Sequence, residues 1–200
     1  MTVVVGGRQL KRDTFAVIVD VDGVVSPIGG PSKWGDDVYA GDAFGAVQVS
    51  PSLCARLDQL AALPRVECWW LTSWTAAMRA GMDPFPGRSW PVVADPEAIT
   101  DASATSSLLF AGRSWWKWEA LRQWLPQQRT LAGLVWCEDH LRRPDEAWLL
   151  RDVTGQQLED RDIPALLIGP ETHVGLTPSH MDRIEKWVDS QRLRLAAPSP

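Results

Sequence analysis

The sequence predicts an α/β protein with a Rossmann-like three-layer architecture and a mostly parallel sheet. Short apolar runs alternate with segments in which apolar residues recur at helical spacing, a pattern typical of βαβ units. The runs are apolar throughout, as expected for strands that are buried on both faces. With 200 residues, of which 45% are hydrophobic and 22% are charged, the chain suits one globular domain with a sizeable core.

Five short apolar runs predict the strands of this sheet. The first is rich in β-branched residues, which favour strands. The second and the fourth stop directly before polar residues, which indicates where those strands end. The predicted strands cover residues 15–19, 66–71, 90–93, 134–137 and 165–168.

Helix signals lie between and after these runs. Ser50 as N-cap and Pro51 at the first helical position start a helix that ends before Pro64. Ser114 can cap a helix over about residues 115–125. A short helix is expected over residues 75–80, and a final amphipathic helix opens at residues 177–178.

The chain is predicted to form a single domain over residues 14–194, with a minimal cap or none. Residues 1–13 are expected to be an N-terminal extension, and residues 195–200 a disordered tail. Residues 24–49 are rich in glycine, proline and aspartate, and predict a loop with at most a small hairpin.

Composition narrows the range of functions. A net charge of −5 argues against a broad surface that coats nucleic acid. Cys54, Cys68 and Cys137 form no CxxC pair and are interpreted as reduced core thiols of a cytoplasmic protein. The charges near the start follow a short apolar stretch, the wrong order for a signal peptide, and no run approaches the roughly 20 apolar residues of a membrane span.

Polar residues gather where the predicted strands end. Asp20 and Asp22 follow the first strand in the stretch AVIVDVDGVVSP, although two like charges so close together repel. Ligands of open α/β sheets bind beyond the carboxyl ends of the strands, so these groups are expected to meet at one edge. The rest of the set is Thr72 and Ser73 after the second strand, Glu138 and Asp139 after the fourth, and Lys117 near the start of a helix.

These residue types suit phosphoryl transfer with Mg²⁺. The ion prefers carboxylate oxygens, which Asp20 together with Asp139 or Glu138 would supply, and a cation would relieve the repulsion at the first strand. An aspartate can act as a covalent nucleophile, and a second carboxylic acid can protonate the leaving oxygen and then take a proton from water. Asp22 is placed for the second role, with Gly23 permitting a sharp turn after it.

The phosphate oxygens need donors of their own. The Thr72 hydroxyl and the Lys117 ammonium would hold them and offset the charge that develops in the transition state, with Ser73 as the competing hydroxyl. Structural alternatives stand beside these roles. Asp22-Gly23 also favours a plain turn, Thr72 could be a helix N-cap, and Lys117 could be a solvated helix lysine.

Four short motifs in the right order resemble the haloacid dehalogenase superfamily of phosphohydrolases. They are IVDVDGVV, WLTSW, the lysine of WWKWEAL, and LVWCEDHL. A second aspartate in the first motif points to phosphatases within that superfamily. The chain departs from the common pattern in having Val24 where threonine is usual and Glu138-Asp139 in place of two aspartates, so we rank Asp139 above Glu138 as a metal ligand.

The resemblance implies a role for each motif residue. It implies a nucleophile that forms an aspartyl-phosphate, an acid/base, two phosphate-binding groups and a Mg²⁺ site. These would be Asp20 as nucleophile, Asp22 as acid/base, Thr72 (or Ser73) and Lys117 on phosphate, and a metal set drawn from Asp20, Asp22, Glu138 and Asp139.

The segment LLIGPETHVGLTPSHMDRIEKWV and the tryptophan-flanked motifs are similar to small phosphatase-like domains linked to Swiss Army knife RNA repair proteins. One alternative function is therefore removal of a terminal phosphate from RNA or DNA. Another is a phosphatase-like fold that has lost turnover and binds a phosphorylated ligand or partner. The expected partner is a phosphorylated substrate, either a small molecule or a nucleic-acid end, with no membrane and no obligate protein partner.

The 12 tryptophans are several times ordinary usage and cluster around the motifs. Trp69 and Trp70 should point to opposite faces of a strand and fill the core. For Trp74 and one of residues 115–118, two interpretations stay open, namely core filling and a platform on which nucleic-acid bases stack.

The three histidines lack the spacing of metal ligands, so no zinc site is expected. His140 follows the fourth motif and could touch substrate, but the preferred interpretation is a loop histidine without a role. His173 and His180 are interpreted as structural.

Overall fold

The computed structural model has the predicted α/β architecture. It describes residues 2–5, 8–42, 45–80, 85–87, 89–95, 116–142 and 158–196. The strands are β1 (Thr2–Val5), β2 (Arg8–Lys11), β3 (Thr14–Val19), β4 (Val38–Asp42), β5 (Gly45–Val49), β6 (Val66–Trp70), β7 (Leu131–Cys137) and β8 (Ala165–Ile168). The helices are α1 (Pro51–Ala61), α2 (Ala76–Ala80), α3 (Trp116–Trp124) and α4 (Pro178–Ala196), with 3₁₀ turns at Leu125–Gln127 and Asp139–Arg142.

The central sheet has four strands in the order β6-β3-β7-β8, and every neighbouring pair is parallel. The chain passes from β3 to β6 on one side and then returns to place β7 on the other side of β3. The boundary between β3 and β7 is therefore the topological switch point, where open α/β sheets bind their ligands. Val19 pairs with both Trp70 and Cys137, and Cys137 pairs with Ile168, so the four strands end level with one another.

Helices pack against both faces of the sheet, as the continuous apolar strands predicted. On one face, Val17 of β3 lies in a core with Leu57 of α1 and Ile184 of α4. On the other face, Ile18 lies in a second core with Leu121 of α3. Successive residues of β3 thus serve different cores, because side chains alternate between the two faces of a strand.

The first helix begins as predicted. The Ser50 hydroxyl accepts a hydrogen bond of 3.1 Å from the backbone N–H of Leu53, and Pro51 occupies the first turn. Helix α3 covers nearly all of the predicted range of 115–125, but the proposed cap Ser114 and the neighbouring Trp115 lie outside the described residues. The short helix α2 also lies within its predicted range.

Two antiparallel hairpins stand apart from the sheet. β1 pairs with β2 inside the predicted N-terminal extension, and β4 pairs with β5 inside the predicted loop over residues 24–49. At the other end of the chain, α4 continues to Ala196, so the disordered tail predicted from residue 195 begins too early. Residues 197–200 lie outside the described residues.

The strand predicted over residues 90–93 is wrong. This segment runs beside Trp70 and forms one parallel bridge, between Trp70 and Val92. Trp70 donates to the carbonyl of Pro91, and Val93 donates to the carbonyl of Trp70. Proline has no N–H to continue a ladder, which limits this edge pairing to a short bridge.

The three cysteines are free and buried, as predicted. Burial raises the pKa of both the Cys54 and the Cys68 thiols to about 12, so these groups stay protonated and unreactive. Among the described helices, none is both long and apolar enough to span a lipid bilayer.

Candidate active site

The level strand ends bring the first, second and fourth motifs together at one edge of the sheet. The Asp20 N–H donates to the carbonyl of Cys137, and the Leu71 N–H donates to the carbonyl of Val19. The Glu138 N–H donates to the carbonyl of Ile168. The residues that follow β3, β6 and β7 are therefore fixed by backbone hydrogen bonds around the switch point.

A buried cluster of three charges occupies this edge. The Lys117 ammonium reaches over from α3, contacts Oδ2 of Asp20, and lies 2.8 Å from Oε2 of Glu138. Its side chain is 7% exposed, against 4% for Asp20 and none for Glu138. The solvated-lysine alternative for Lys117 is therefore wrong. Removing three charged side chains from water is costly, and the cost is offset only when they pair closely.

Asp20 and Glu138 both contact the Lys117 ammonium, and the pKa values of Asp20 and Lys117 reflect this crowding. Burial first, and then the negative charge of Glu138, raise the pKa of Asp20 to about 7, although Lys117 opposes the shift. Burial alone would lower the pKa of Lys117, but the two carboxylates outweigh it and raise that pKa above its ordinary value. Lys117 is thus held as a cation, and the metal-free cluster favours a proton on Asp20.

Asp139 is the next carboxylate along the edge, and its partners favour its ionised form. Burial alone would raise its pKa, but hydrogen bonds from His140 and Thr172 hold the pKa of Asp139 well below its usual range. The Thr172 hydroxyl donates to Oδ2 of Asp139 at 2.6 Å. A carboxylate that stays ionised while buried is a suitable ligand for a cation.

His140 bridges the two carboxylates of the fourth motif. Its Nδ1 lies 2.8 Å from Oε1 of Glu138 and 2.9 Å from Oδ1 of Asp139. Hydrogen bonds to Asp139 first, and then to Glu138, raise the pKa of His140 to about 9. His140 is therefore a half-buried donor that contacts both acidic side chains, while its interpretation as a loop histidine without a role in function stays a prediction.

Three side chains of the fourth motif form a group that could hold a metal ion. Ligand atoms of Glu138, Asp139 and His140 lie within 4.8 Å of one another, and both carboxylates are buried. Oxygen donors of this kind are typical of Mg²⁺ sites. In the described arrangement His140 donates to the carboxylates, and Asp20 lies outside this group of three but shares the Lys117 ammonium with Glu138.

The turn after β3 places Asp22 close to the second motif. The Val21 carbonyl accepts hydrogen bonds from the backbone N–H groups of residues 24–26, which closes the turn. Gly23 has a φ of +70°, and a Cβ on it would lie 2.8 Å from Oδ2 of Asp139, so this position needs glycine for both reasons. Asp22 is half-buried, and its Oδ2 accepts a hydrogen bond of 3.0 Å from the indole of Trp74.

The two hydroxyls of the second motif differ in environment. Thr72 is 2% exposed, and its Oγ1 accepts a hydrogen bond of 3.2 Å from the backbone N–H of Trp74. Ser73 is exposed. The buried hydroxyl of Thr72 lies at the end of a strand beside Asp20, so it is the better candidate for a phosphate donor.

The tryptophans around the motifs are mostly packing residues. Trp70 is fully buried, while Trp69 packs on the opposite core, as predicted. Trp74 is 5% exposed and stacks on Phe85 with ring centroids 5.9 Å apart. Trp118 is buried as well. A buried ring has no free face for a base, so the stacking platform proposed for Trp74 is not supported.

Two open grooves of similar size differ in chemistry. One of about 580 Å³ lies at the amino end of the sheet and is lined by Phe15, Arg65 and Leu193. The other, of about 540 Å³, begins at Asp22 and runs between residues 26–31 and the β4–β5 hairpin, where it includes Tyr39. Buried charge lies beside the second groove, and we therefore assign the site to the carboxyl edge.

Sequence reasoning named Asp20, Thr72, Lys117, Glu138 and Asp139, and the structure brings them to one edge. It named Trp74 and His140 without the contacts that they make here, and it missed Thr172. Trp74 and His140 lie within the quoted motifs WLTSW and LVWCEDHL, which was the available signal. Thr172 lies more than 30 positions from its partner Asp139, in the segment that begins LLIGPETHVGL, for which no residue role was predicted.

The chain matches no protein-family model, no curated protein and no solved structure. The fold and the cluster at the switch point are therefore the observations from which function is argued.

Proposed function

We propose that this chain is a Mg²⁺-dependent phosphomonoesterase of the haloacid dehalogenase type, acting through an aspartyl-phosphate intermediate. The observation that carries the proposal is the buried cluster of Lys117 with Asp20 and Glu138 at the β3/β7 switch point. A cluster with this desolvation cost and a carboxyl pKa raised to about 7 is typical of a functional site. The order of the four motifs supports the same assignment.

In the first step, a carboxylate oxygen of Asp20 attacks the phosphorus of the substrate. A bond forms between that oxygen and phosphorus, and the bond between phosphorus and the leaving oxygen breaks. Asp22, two residues further on, donates its proton to the leaving oxygen, so the product departs as a neutral alcohol. Thr72 and Lys117 hold the non-bridging oxygens and offset their charge.

In the second step, Asp22 acts in reverse. It takes a proton from a water molecule while the water oxygen attacks the phosphorus of the aspartyl-phosphate. The bond between phosphorus and Asp20 breaks, which releases inorganic phosphate and restores both carboxyl groups. A carboxyl group can serve in both directions because its proton lost in the first step is regained in the second.

Asp139, with Asp20 and Glu138, would hold the Mg²⁺ ion, which would neutralise negative charge on the phosphate and favour the ionised form of Asp20. The lowered pKa of Asp139 supports its place as the principal ligand, as does the hydrogen bond from Thr172. His140 and Thr172 keep the carboxylates oriented, as partners outside the coordination shell usually do.

Turnover is tested with an aryl phosphate in the presence of Mg²⁺. The wild-type protein should hydrolyse it, chelation should stop hydrolysis, and Asp20→Asn should lower kcat by at least roughly 1,000-fold because the nucleophile is lost. Asp182→Asn is the matched control, since Asp182 belongs to an exposed ion-pair cluster with Arg56. Wild-type rates in Asp20→Asn would overturn the proposed mechanism.

The same assay distinguishes the proposed phosphomonoesterase from its two alternatives, a phosphatase of nucleic-acid ends and a binding module that has lost turnover. A panel of small phosphate monoesters and of oligonucleotides with a 3′- or 5′-phosphate would identify a nucleic-acid end as substrate if only the oligonucleotides were hydrolysed. No hydrolysis of any member by the wild-type protein, combined with binding of inorganic phosphate, would identify a module that has lost turnover. We favour a small monoester because Trp74, whose indole contacts the acid/base Asp22, is buried and offers no stacking face.

A further inference from the structure

The indole of Trp74 contacts the carboxyl group that the proposed mechanism uses as acid and base. Its Nε1–H donates to Oδ2 of Asp22 at 3.0 Å. Among the described residues, the Trp74 indole is the side-chain donor that forms a hydrogen bond to Asp22. An indole nitrogen can donate a hydrogen bond but cannot accept one. The contact is therefore directional, with Oδ2 of Asp22 as the acceptor.

Trp74 is itself held on several sides. Its ring stacks on Phe85 with an angle of 3° between the planes. Its backbone N–H donates to the Thr72 hydroxyl, and its carbonyl accepts a hydrogen bond from the Arg79 guanidinium. Arg79 is 5% exposed. A side chain fixed by a ring stack and by backbone contacts can act as a rigid support for a mobile carboxyl group.

We infer that Trp74 is a positioning residue that fixes the orientation of Asp22 for the exchange of a proton with substrate and water. This inference rests on the proposed function. Because the indole N–H holds Oδ2, Oδ1 is the oxygen of Asp22 that remains to face the substrate. Oδ1 then donates to the leaving oxygen in the first step and takes the proton from water in the second, while Oδ2 stays bonded to Trp74.

The contribution of Trp74 to the rate of hydrolysis depends on the leaving group of the substrate. An alkoxide is a poor leaving group and needs the proton from Asp22 as the bond to phosphorus breaks. A nitrophenolate leaves without help. Loss of the indole N–H should therefore slow the hydrolysis of alkyl phosphates much more than that of nitrophenyl phosphate. A change that only loosened the fold would slow both reactions by the same factor.

The experiment uses Trp74→Phe, which keeps an aromatic ring against Phe85 and removes the N–H. We expect kcat on glycerol 2-phosphate to fall at least tenfold, kcat on 4-nitrophenyl phosphate to fall less than threefold, and KM to stay within twofold for both. Trp187→Phe is the matched control, because Trp187 packs near Gly133 in β7 and away from Asp22. It should leave the ratio of the two rates at the wild-type value.

A double variant tests whether Trp74 acts through Asp22. If it does, Asp22→Asn with Trp74→Phe should be no slower on glycerol 2-phosphate than Asp22→Asn alone. Additive losses, or equal losses on both substrates by Trp74→Phe, would overturn the inference while leaving the proposed function in place. Absence of turnover in the wild-type protein would instead overturn the proposed function, and the inference with it.

A second measurement covers the case in which Trp74→Phe does not fold. Indole N–H signals of the wild-type protein and of Asp22→Ala are compared by ¹H–¹⁵N NMR. Loss of the acceptor should move one indole proton upfield and speed its exchange with solvent. An indole spectrum unchanged by Asp22→Ala would show that the contact does not form, and would overturn the inference.

Discussion

Two clusters of one cation and two carboxylates lie in different environments of this molecule. Lys117 with Asp20 and Glu138 is buried, with side chains that are 0–7% exposed. Arg56 of α1 pairs with Asp182 and Glu185 of α4, whose side chains are 57% and 36% exposed. Contact distances do not separate them, since Lys117–Glu138 and Arg56–Asp182 both measure 2.8 Å.

The difference between the clusters is desolvation. The exposed cluster braces two helices on one face of the sheet, and such pairs contribute little because water screens them. In the buried cluster the loss of hydration can exceed the attraction between the charges, so pairing there is a poor means of stabilising a fold. Similar ion-pair geometry therefore serves different purposes. In the exposed cluster it helps two helices to pack, and in the buried cluster it serves catalysis under our proposal.

The largest effect is expected from Lys117→Met. Removing the cation leaves two buried carboxylates side by side, and breaking a buried pair costs about 3–5 kcal/mol. Urea unfolding with a chelator at pH 8 should show this loss of unfolding free energy, and it should shrink at pH 5 because a carboxyl then takes up a proton. Lys186→Met, an exposed lysine of α4, is the control. Equal losses in the two variants would contradict the comparison.

The next largest effect is expected in the pH dependence of the free energy of unfolding, which arises from the Asp20 carboxyl. Its pKa in the folded, metal-free protein is raised from 3.8 to about 7, so the folded state binds the proton more tightly than the unfolded state. Its contribution to stability is then fully present below pH 3.8 and is lost as the pH rises to about 7. Relative to wild type, Asp20→Asn should gain roughly 3 kcal/mol of unfolding free energy across that range.

Chelator-treated protein is used for this measurement, and the difference between the two proteins is followed by urea unfolding from pH 5 to pH 8. Asp182→Asn, in the exposed cluster, should show a difference from wild type that stays flat over the same range. A flat difference for Asp20→Asn would mean that the Asp20 carboxyl is ionised throughout, contrary to the raised pKa.

A smaller effect is expected from Thr172→Val, which removes the donor to Asp139 and keeps the shape of the side chain. Loss of a partner that orients a metal ligand typically weakens binding about 10- to 100-fold. Titration with Mg²⁺, followed by calorimetry, should show at least a tenfold weaker affinity. Thr130→Val, at the amino end of the sheet, should bind Mg²⁺ as the wild type does. Unchanged affinity in Thr172→Val would remove Asp139 from the proposed ligand set.

The smallest effect is expected from Arg56→Met in the exposed cluster. The unfolding free energy should fall by less than about 1 kcal/mol, because the charges are screened by solvent, and added salt should reduce the difference further. Turnover of an aryl phosphate should stay at the wild-type rate. A loss as large as that of Lys117→Met would mean that burial does not separate the two clusters.

Much of the fold followed from local pattern. The continuous apolar runs of β3 and β7 predicted strands buried on both faces, and Ser50-Pro51 marked the start of α1, because these signals act within a few residues. The segment at Pro91 was misassigned because its apolar residues resemble a strand, whereas the missing N–H of proline decides how far pairing extends.

Site residues that directly follow a strand could be predicted from the sequence, whereas residues that reach the site from elsewhere were harder to predict. Asp20, Thr72 and Glu138 each follow a strand, so a parallel sheet places them together. Lys117 does not follow a strand, and the sequence also allowed a solvated helix lysine there, yet Lys117 is the centre of the buried cluster. The roles of His140 and Thr172 depend on side-chain contacts made after folding, and a single sequence carries no periodic signal for such contacts.

Gly23 sets the spacing between the turn after β3 and the carboxylate of Asp139. A Cβ at this position would overlap Oδ2 of Asp139 and would also approach Thr172 to 3.1 Å. The short distance between this turn and Asp139 therefore depends on the absence of a side chain at position 23. A methyl group at position 23 would push the turn that carries Asp22 away from Asp139. The site would be disrupted although no acidic or basic side chain had been removed.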